Sequence, residues 1–292
     1  MIRLAVRCAP EQAELVLDEL LLIAPGGVEE EAGPGWVEYA IYGGEGELPE
    51  LGELGAALGD GRVEVRAEQV PDDWADRWRD FHEPTLIAER VLIRPSWHEP
   101  RPGTVDVVID PGQAFGTGAH PTTRMSVELL VALAAAGRAS GPLVDLGTGS
   151  AVLAIAAAKL GWDPVTAVDS EPAAIEAASA NAEANGVALG LHRVNLREQA
   201  PPVAPTVVAN LTAPLLRDVA AALTEPPETL VCSGLLAREA EEVEAAFAAA
   251  GLAVRERRAS GDWAALLLER SSGSGGPWSR STATDDGDIV RP

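Results

Sequence analysis

Polar and apolar residues alternate through RLAVRC at positions 3–8, the period-two pattern of a strand with one buried face. Pro10 then stands where a helix can start, and Leu15, Val16, Leu20, Leu21 and Leu22 give PEQAELVLDELLLI an apolar stripe. GVEEEA and WVEYAIYG flank Gly33-Pro34-Gly35, a hairpin signal, and are followed by a weaker helical stretch, LPELGELGAAL, and by the alternating RVEVRAEQV. The order β-α-β-β-α-β over residues 1–70 predicts a ferredoxin-like α+β domain.

Residues 71–104 read as a linker helix and short strands. In DDWADRWRDF, Trp74 and Trp78 are four apart and share one helical face. With Trp97 they are expected to fill a seam between domains rather than to form a ligand cage. HEPTLIAERVLIRPSW adds two short extended pieces before Pro100-Arg101-Pro102. From 105 to 270 strands and helices alternate, beginning with VDVVID and ending with AVRERRA and AALLLER. That alternation predicts an α/β fold, a doubly wound Rossmann-like sheet. The Ser-, Gly- and Asp-rich stretch 271–292 is expected to be a disordered tail.

Composition narrows the functional classes. With 47% apolar residues among 292, a substantial core can be buried. No apolar run approaches the roughly 20 residues that span a bilayer, and the amino terminus lacks the apolar core of a signal peptide. Cys8 and Cys232 suit two buried thiols better than a disulfide or a zinc site. A cytoplasmic monomer without membrane or metal is expected. The formal net charge of −23 opposes a phosphate backbone and would draw in a basic partner, although acidity also serves solubility alone. Lys159 is the only lysine, which points to codon bias rather than mechanism.

The chemistry concentrates in PLVDLGTGSAVLAIAAA, where a buried strand ends at Asp145, a glycine-rich turn follows, and a helix is expected from Ser150. Gly147 and Gly149 allow a sharp turn and close approach of a ligand. The next strand, PVTAVD, ends in Asp169, whose carboxylate can accept both ribose hydroxyls of a nucleoside. That spacing serves a nicotinamide cofactor and S-adenosylmethionine alike. Ala151 replaces the third glycine of the dinucleotide fingerprint, and Asp145 would repel a pyrophosphate while suiting an ammonium and a sulfonium, so the turn favours the methyl donor. Upstream, DPGQAFGTGAHPTT offers Phe115, Gly116, His120, Thr122 and Thr123 as lid and cap, with no acid–base role for His120. Downstream, Asn210 ends VVAN and can orient an attacking amine, or else closes the strand as an Asx turn.

DWADRWRDFHEPTLIAERVLIRPSW, AFGTGAHPTT, VDLGTGS, AVDSEPAAIEAASANAEANGV, VVANL and SGLLAREAEEVEAAF together closely resemble the ribosomal protein L11 methyltransferase family. The resemblance implies S-adenosylmethionine at Thr123, Gly147, Asp169 and Asn210, with Phe115, Gly116, Asp145 and Gly149 in the same segments. It also implies an amino-terminal substrate-recognition domain and a basic ribosomal protein as the substrate. The alternatives are a methyltransferase of another basic protein, a nucleic-acid base methyltransferase, a nicotinamide-dependent oxidoreductase and a silent cofactor-binding module. Base methyltransferases acting on exocyclic amines follow their asparagine with prolines and an aromatic ring; here Leu211 and Thr212 follow Asn210.

Overall fold

The computed structural model describes residues 2–13, 16–17, 20, 29–43, 63–69, 83–110, 118 and 120–271. The second expected helix, Trp74 and Trp78, the loop bearing Phe115 and Gly116, and the stretch 272–292 lie outside the described residues.

Four antiparallel strands form the amino-terminal sheet: β1 (Ile2–Cys8), β2 (Glu29–Gly33), β3 (Trp36–Gly43) and β4 (Glu64–Gln69), ordered β2-β3-β1-β4. This is the strand order of the expected split βαβ arrangement. Alternation sends Leu4, Val6, Tyr39 and Ile41 to one face, where they meet Val16 and Leu20 in a core of their own. On the other face Glu38 is held between Arg3 and Arg7 at 2.8 Å each, which keeps its carboxyl below the usual range despite burial. The β2–β3 hairpin turns through Gly35, at φ +80°.

The carboxyl-terminal part builds on a seven-stranded sheet. Its strands are β8 (Leu143–Leu146), β9 (Val165–Asp169), β10 (Gly190–Arg193), β11 (Thr206–Asn210), β12 (Thr229–Leu236), β13 (Leu252–Ser260) and β14 (Trp263–Arg270). Their order is β10-β9-β8-β11-β12-β14-β13, parallel except where β14 runs against both neighbours. Period-two alternation serves both faces. Leu143, Val208, Val231 and Leu267 face helices α1 (Pro121–Ala135) and α2 (Val152–Leu160), whose side of the core also takes Ala178 of α3 (Pro172–Asn185). Val144, Val207, Leu230 and Leu266 face α4 (Ala213–Ala222) and α5 (Ala240–Ala249), where Leu216 and Phe247 are fully buried. Cys8 and Cys232 are free and buried, as expected, and burial pushes both thiols up.

One expectation is overturned. The strand read in VDVVID does not open the large sheet. It forms β7 (Val105–Val108), which pairs parallel to β6 (Val91–Arg94), itself antiparallel to β5 (Thr85–Ile87). Ile87, Val91, Ile93 and Val107 sink into the core under α1 and α2, so the linker strands share the core of the large sheet. Polar clamps hold β7 to β6 and to the helices beside it. Arg94 makes a two-pronged bond to Asp106 at 2.6 and 2.8 Å, and Asn185 of α3 both donates to and accepts from the Val108 backbone, at 2.6 and 2.8 Å. Lys159 completes the clamp, donating to Asp106 O and Asn185 Oδ1. No helix among the described residues is long and apolar enough to cross a membrane.

Candidate active site

Strands β8 and β11 lie side by side at the centre of the sheet, the point where the chain's winding reverses and where an α/β sheet opens a crevice at its carboxyl edge. A cavity of about 240 Å³ sits there, lined by Thr123, Gly147, Gly149, Asp169 and Asn210 among others. Five of the residues singled out in the sequence are therefore brought together from four different elements.

The glycine turn is fastened to β9, because the Gly147 and Thr148 N–H groups both donate to Val168 O at 2.9 Å. Gly147 takes φ +71°, and a Cβ there would lie 2.2 Å from Leu211 Cδ2, so this position demands both the freedom and the smallness of glycine. The helix begins at Val152 rather than at Ser150, because Ala151 is left-handed at φ +65° and acts as the N-cap. A methyl-bearing residue in that conformation costs about 1 kcal/mol, and full burial of Ala151 helps to hold it there.

Asp169 ends β9 half-buried. Its Oδ2 accepts from Gly149 N–H at 3.0 Å and its Oδ1 from Glu171 N–H at 3.1 Å. A carboxylate has about four acceptor positions, so roughly two stay open on the cavity side.

Asp145 does not line the cavity. It is wholly buried beneath the turn, where its Oδ2 accepts from Thr148 Oγ1 at 2.6 Å and from Ala154 N–H at 3.2 Å, and its Oδ1 has no hydrogen-bond partner. Burial pushes its pKa up to about 7, with the nearby Asp169 charge adding to the rise. The physical reason for its place is register. Val144 and Leu146 face α4, so the intervening side chain must point to the opposite face, under the start of α2. The expected repulsion of a pyrophosphate by Asp145 therefore does not hold; the Gly149 and Ala154 N–H groups around the start of α2 are instead taken by the Asp169 and Asp145 carboxyl groups.

Asn210 ends β11. Its Nδ2 donates to Thr123 Oγ1 at 3.4 Å, and its Oδ1 accepts from Ser233 Oγ at 3.0 Å. His120 is the N-cap of α1: its Nδ1 accepts from Thr122 N–H at 3.3 Å, and its ring meets Trp263 edge-on at 4.8 Å. Burial lowers its pKa. These roles fit a cap rather than an acid or base.

Sequence reasoning missed Ser170 and the run Val194-Asn195-Leu196-Arg197, which line the far end of the cavity. That run follows β10, which carries no motif. Its place follows only from the pairing of β10 with β9, which sets Arg193 opposite Asp169. Leu153, Leu211 and Leu215 add apolar side chains to the lining. Among the described residues no three His, Cys, Asp or Glu side chains gather to hold a metal ion.

The sheet order, the glycine turn at the first parallel strand and the acceptor carboxylate at the second define a Rossmann-like methyltransferase. The structure is similar to that of the ribosomal protein L11 methylase from Lactobacillus delbrueckii subsp. bulgaricus, with TM-score 0.57 and 28% identity, covering 65% of this chain and 100% of that one. A model of the ribosomal protein L11 methyltransferase (PrmA) family matches residues 48–271. The ribosomal protein L11 methyltransferase of Pelotomaculum thermopropionicum is 37% identical, over 91% of this chain and 97% of its own length. That of Chloroflexus aurantiacus is 38% identical, over 68% and 69%. The chain belongs to the ribosomal protein L11 methyltransferase family.

Proposed function

We propose that this protein transfers methyl groups from S-adenosylmethionine to amines of ribosomal protein L11. The observation that carries the reading is a half-buried carboxylate, Asp169, that spends one acceptor position of each oxygen on a backbone N–H and lines the same cavity as Asn210. The cavity suits the methyl donor chemically. Asp169 can receive ribose hydroxyls, and the lining that includes Val152, Leu153 and Leu196 gives the cavity apolar surface for a base. In the turn the Gly147, Thr148, Gly149 and Ala151 N–H groups are already bonded within the protein, which leaves few donors for a phosphate. Bound there, S-adenosylmethionine would supply an electrophilic methyl group on a sulfonium.

The chain's own work is then to orient an amine and free its lone pair. A lysine with pKa near ~10.4 costs about 4 to 5 kcal/mol to neutralise at pH 7, whereas a terminal amine near ~8 costs about 1 kcal/mol. Partial burial and a neighbouring cation both lower that cost. Asn210 Oδ1 keeps a lone pair beyond its bond to Ser233, which can receive an amine N–H and hold the nitrogen in line. Leu211 packs over Gly147 and offers no ring for a flipped base, which speaks for a protein amine. The amino-terminal unit, residues 1–70 in this reading, would recognise the protein substrate. Among the described residues of its open face, Glu29, Glu31, Glu38, Glu64 and Glu68 outnumber Arg3, Arg7 and Arg66, a balance that suits a basic partner. Arg3 and Arg7 are paired to Glu38, Arg3 is also 3.9 Å from Glu29, and Arg66 is bonded to Glu64. Incubation with purified ribosomal protein L11 and S-adenosylmethionine bearing a labelled methyl group tests the proposal; label must appear on the protein.

A further inference from the structure

Ser233 stands opposite Asn210 in the parallel pairing of β12 with β11, and Ser126 reaches Ser233 from α1. The two serines are fully buried, with their Oγ atoms 2.6 Å apart. From Ser233 Oγ the chain continues to Asn210 Oδ1 at 3.0 Å, and from Asn210 Nδ2 to Thr123 Oγ1 at 3.4 Å. Four polar side chains thus run in a row from the body of the core to the cavity wall. A hydroxyl has one proton to give, so the bonds constrain one another. Ser126 is fully buried and Ser233 Oγ is its side-chain partner among the described residues, so running the row the other way would strand the Ser126 proton in the core. Ser233 therefore accepts from Ser126 and donates to Asn210, and the Asn210 amide donates to Thr123.

The backbone fixes this row from the other side. Gly234 has φ +85°, and a Cβ there would lie 2.5 Å from Leu211 O, while Leu211 N–H donates to Ser233 O at 3.0 Å. Ser233 is therefore locked against residues 210 and 211 by both its main chain and its hydroxyl. An asparagine amide has two ends of similar shape, and only its partners decide which end lies where.

We propose that Ser233, held in turn by Ser126, is a positioning residue for methyl transfer: it sets the Asn210 amide with its acceptor oxygen on the β12 side. The inference rests on the reading of Asn210 as the group that receives the incoming amine. In that orientation Oδ1 accepts an amine N–H and leaves the nitrogen lone pair free. The reversed amide puts an N–H at the same place, where it would bind the very electron pair that must attack.

The test uses the full-length protein with ribosomal protein L11 as substrate. It measures kcat, KM, melting temperature and calorimetric affinity for S-adenosylmethionine. Ser233→Ala should lower kcat roughly fivefold to tenfold, as for one lost neutral hydrogen bond, with cofactor affinity held within about twofold. Ser126→Ala should act in the same direction and less. Ser233→Cys, which keeps a weak donor, should recover part of the loss, and it carries the test if the alanine variant does not fold. In an Asn210→Ala background the Ser233 substitution should cost nothing further, because both act through one amide. Wild-type kcat in Ser233→Ala, or an equal loss with and without Asn210, overturns the proposal while leaving the role of Asn210 intact. Full turnover in Asn210→Ala sinks the underlying reading instead.

Discussion

Replacing Asp169 with alanine should weaken S-adenosylmethionine binding by about a hundredfold. The carboxylate spends one acceptor position of each oxygen on backbone N–H groups, at 3.0 Å from Gly149 and 3.1 Å from Glu171. The two positions left can receive the two ribose hydroxyls. Hydrogen bonds to a charged group contribute about 1.5 to 3 kcal/mol each, and the half-exposed setting favours the low end, so two bonds amount to ~3 kcal/mol. The same substitution releases the two backbone bonds that tie the glycine turn to the start of α3. At about 1 kcal/mol each, that should lower the melting temperature by roughly 4 to 8 °C without unfolding the protein. Isothermal calorimetry gives the affinity, and a deoxy analogue of the cofactor separates the two effects. The wild type should bind the analogue lacking one ribose hydroxyl roughly tenfold more weakly than S-adenosylmethionine, whereas the Asp169→Ala protein should not distinguish them. A folded variant that binds the cofactor with unchanged affinity, or that still discriminates fully against the analogue, refutes the reasoning.

Asn210→Ala should reduce kcat on ribosomal protein L11 about tenfold to a hundredfold and change cofactor affinity much less, because an orienting acceptor acts most in the transition state; steady-state kinetics beside calorimetry decides. Asp145 should make the ligand-free protein less stable as pH rises. Its folded pKa of about 7 lies above the ~3.9 of an unfolded aspartate, so its favourable state is fully present below pH ~4, is lost up to pH 7, and changes no further above. Both of its donors meet the same oxygen, so Asp145→Asn can keep them. Thermal melts should show that variant level with wild type near pH 4 and more stable at pH 8, by an amount on the order of 4 kcal/mol at most; a variant less stable at pH 8 contradicts this. A chain beginning at residue 83 should fold and bind S-adenosylmethionine, whereas one beginning at 105 should not, because it strips β5 and β6 from the core under α1; melting curves of the two separate the outcomes.

The parts of the site that were legible in the sequence are local ones. A strand, a glycine turn and a helix in immediate succession announce Gly147 and Gly149, and a second strand ending in an acid announces Asp169, because each pattern lies within a few neighbouring residues. Asn210 was legible for the same reason. Partner choice was not: the alternation in VDVV marks a strand equally well for either sheet. Its place is marked by Arg94 of β6, which grips Asp106, and by Lys159 and Asn185, distant in sequence, which fasten it to α2 and α3. Asp145 was placed on the right strand but on the wrong side, since the end of a strand does not reveal whether its last acid points into the crevice or under the helix. The Ser126–Ser233 pair, 107 residues apart, has no trace in any local pattern. The cavity wall after β10 is similarly set by strand order alone.

On this reading the crevice between β8 and β11 is where amines of ribosomal protein L11 are methylated. Mass spectrometry of purified L11 after incubation with the full-length protein and S-adenosylmethionine tests it most directly, with the Asp169→Ala variant as control. L11 should gain whole methyl groups on lysine side chains, on its terminal amine or on both, in a way that depends on the cofactor and largely disappears with the variant. An L11 of unchanged mass in the presence of folded, cofactor-binding protein, or methyl groups found only on nucleic acid, would contradict it.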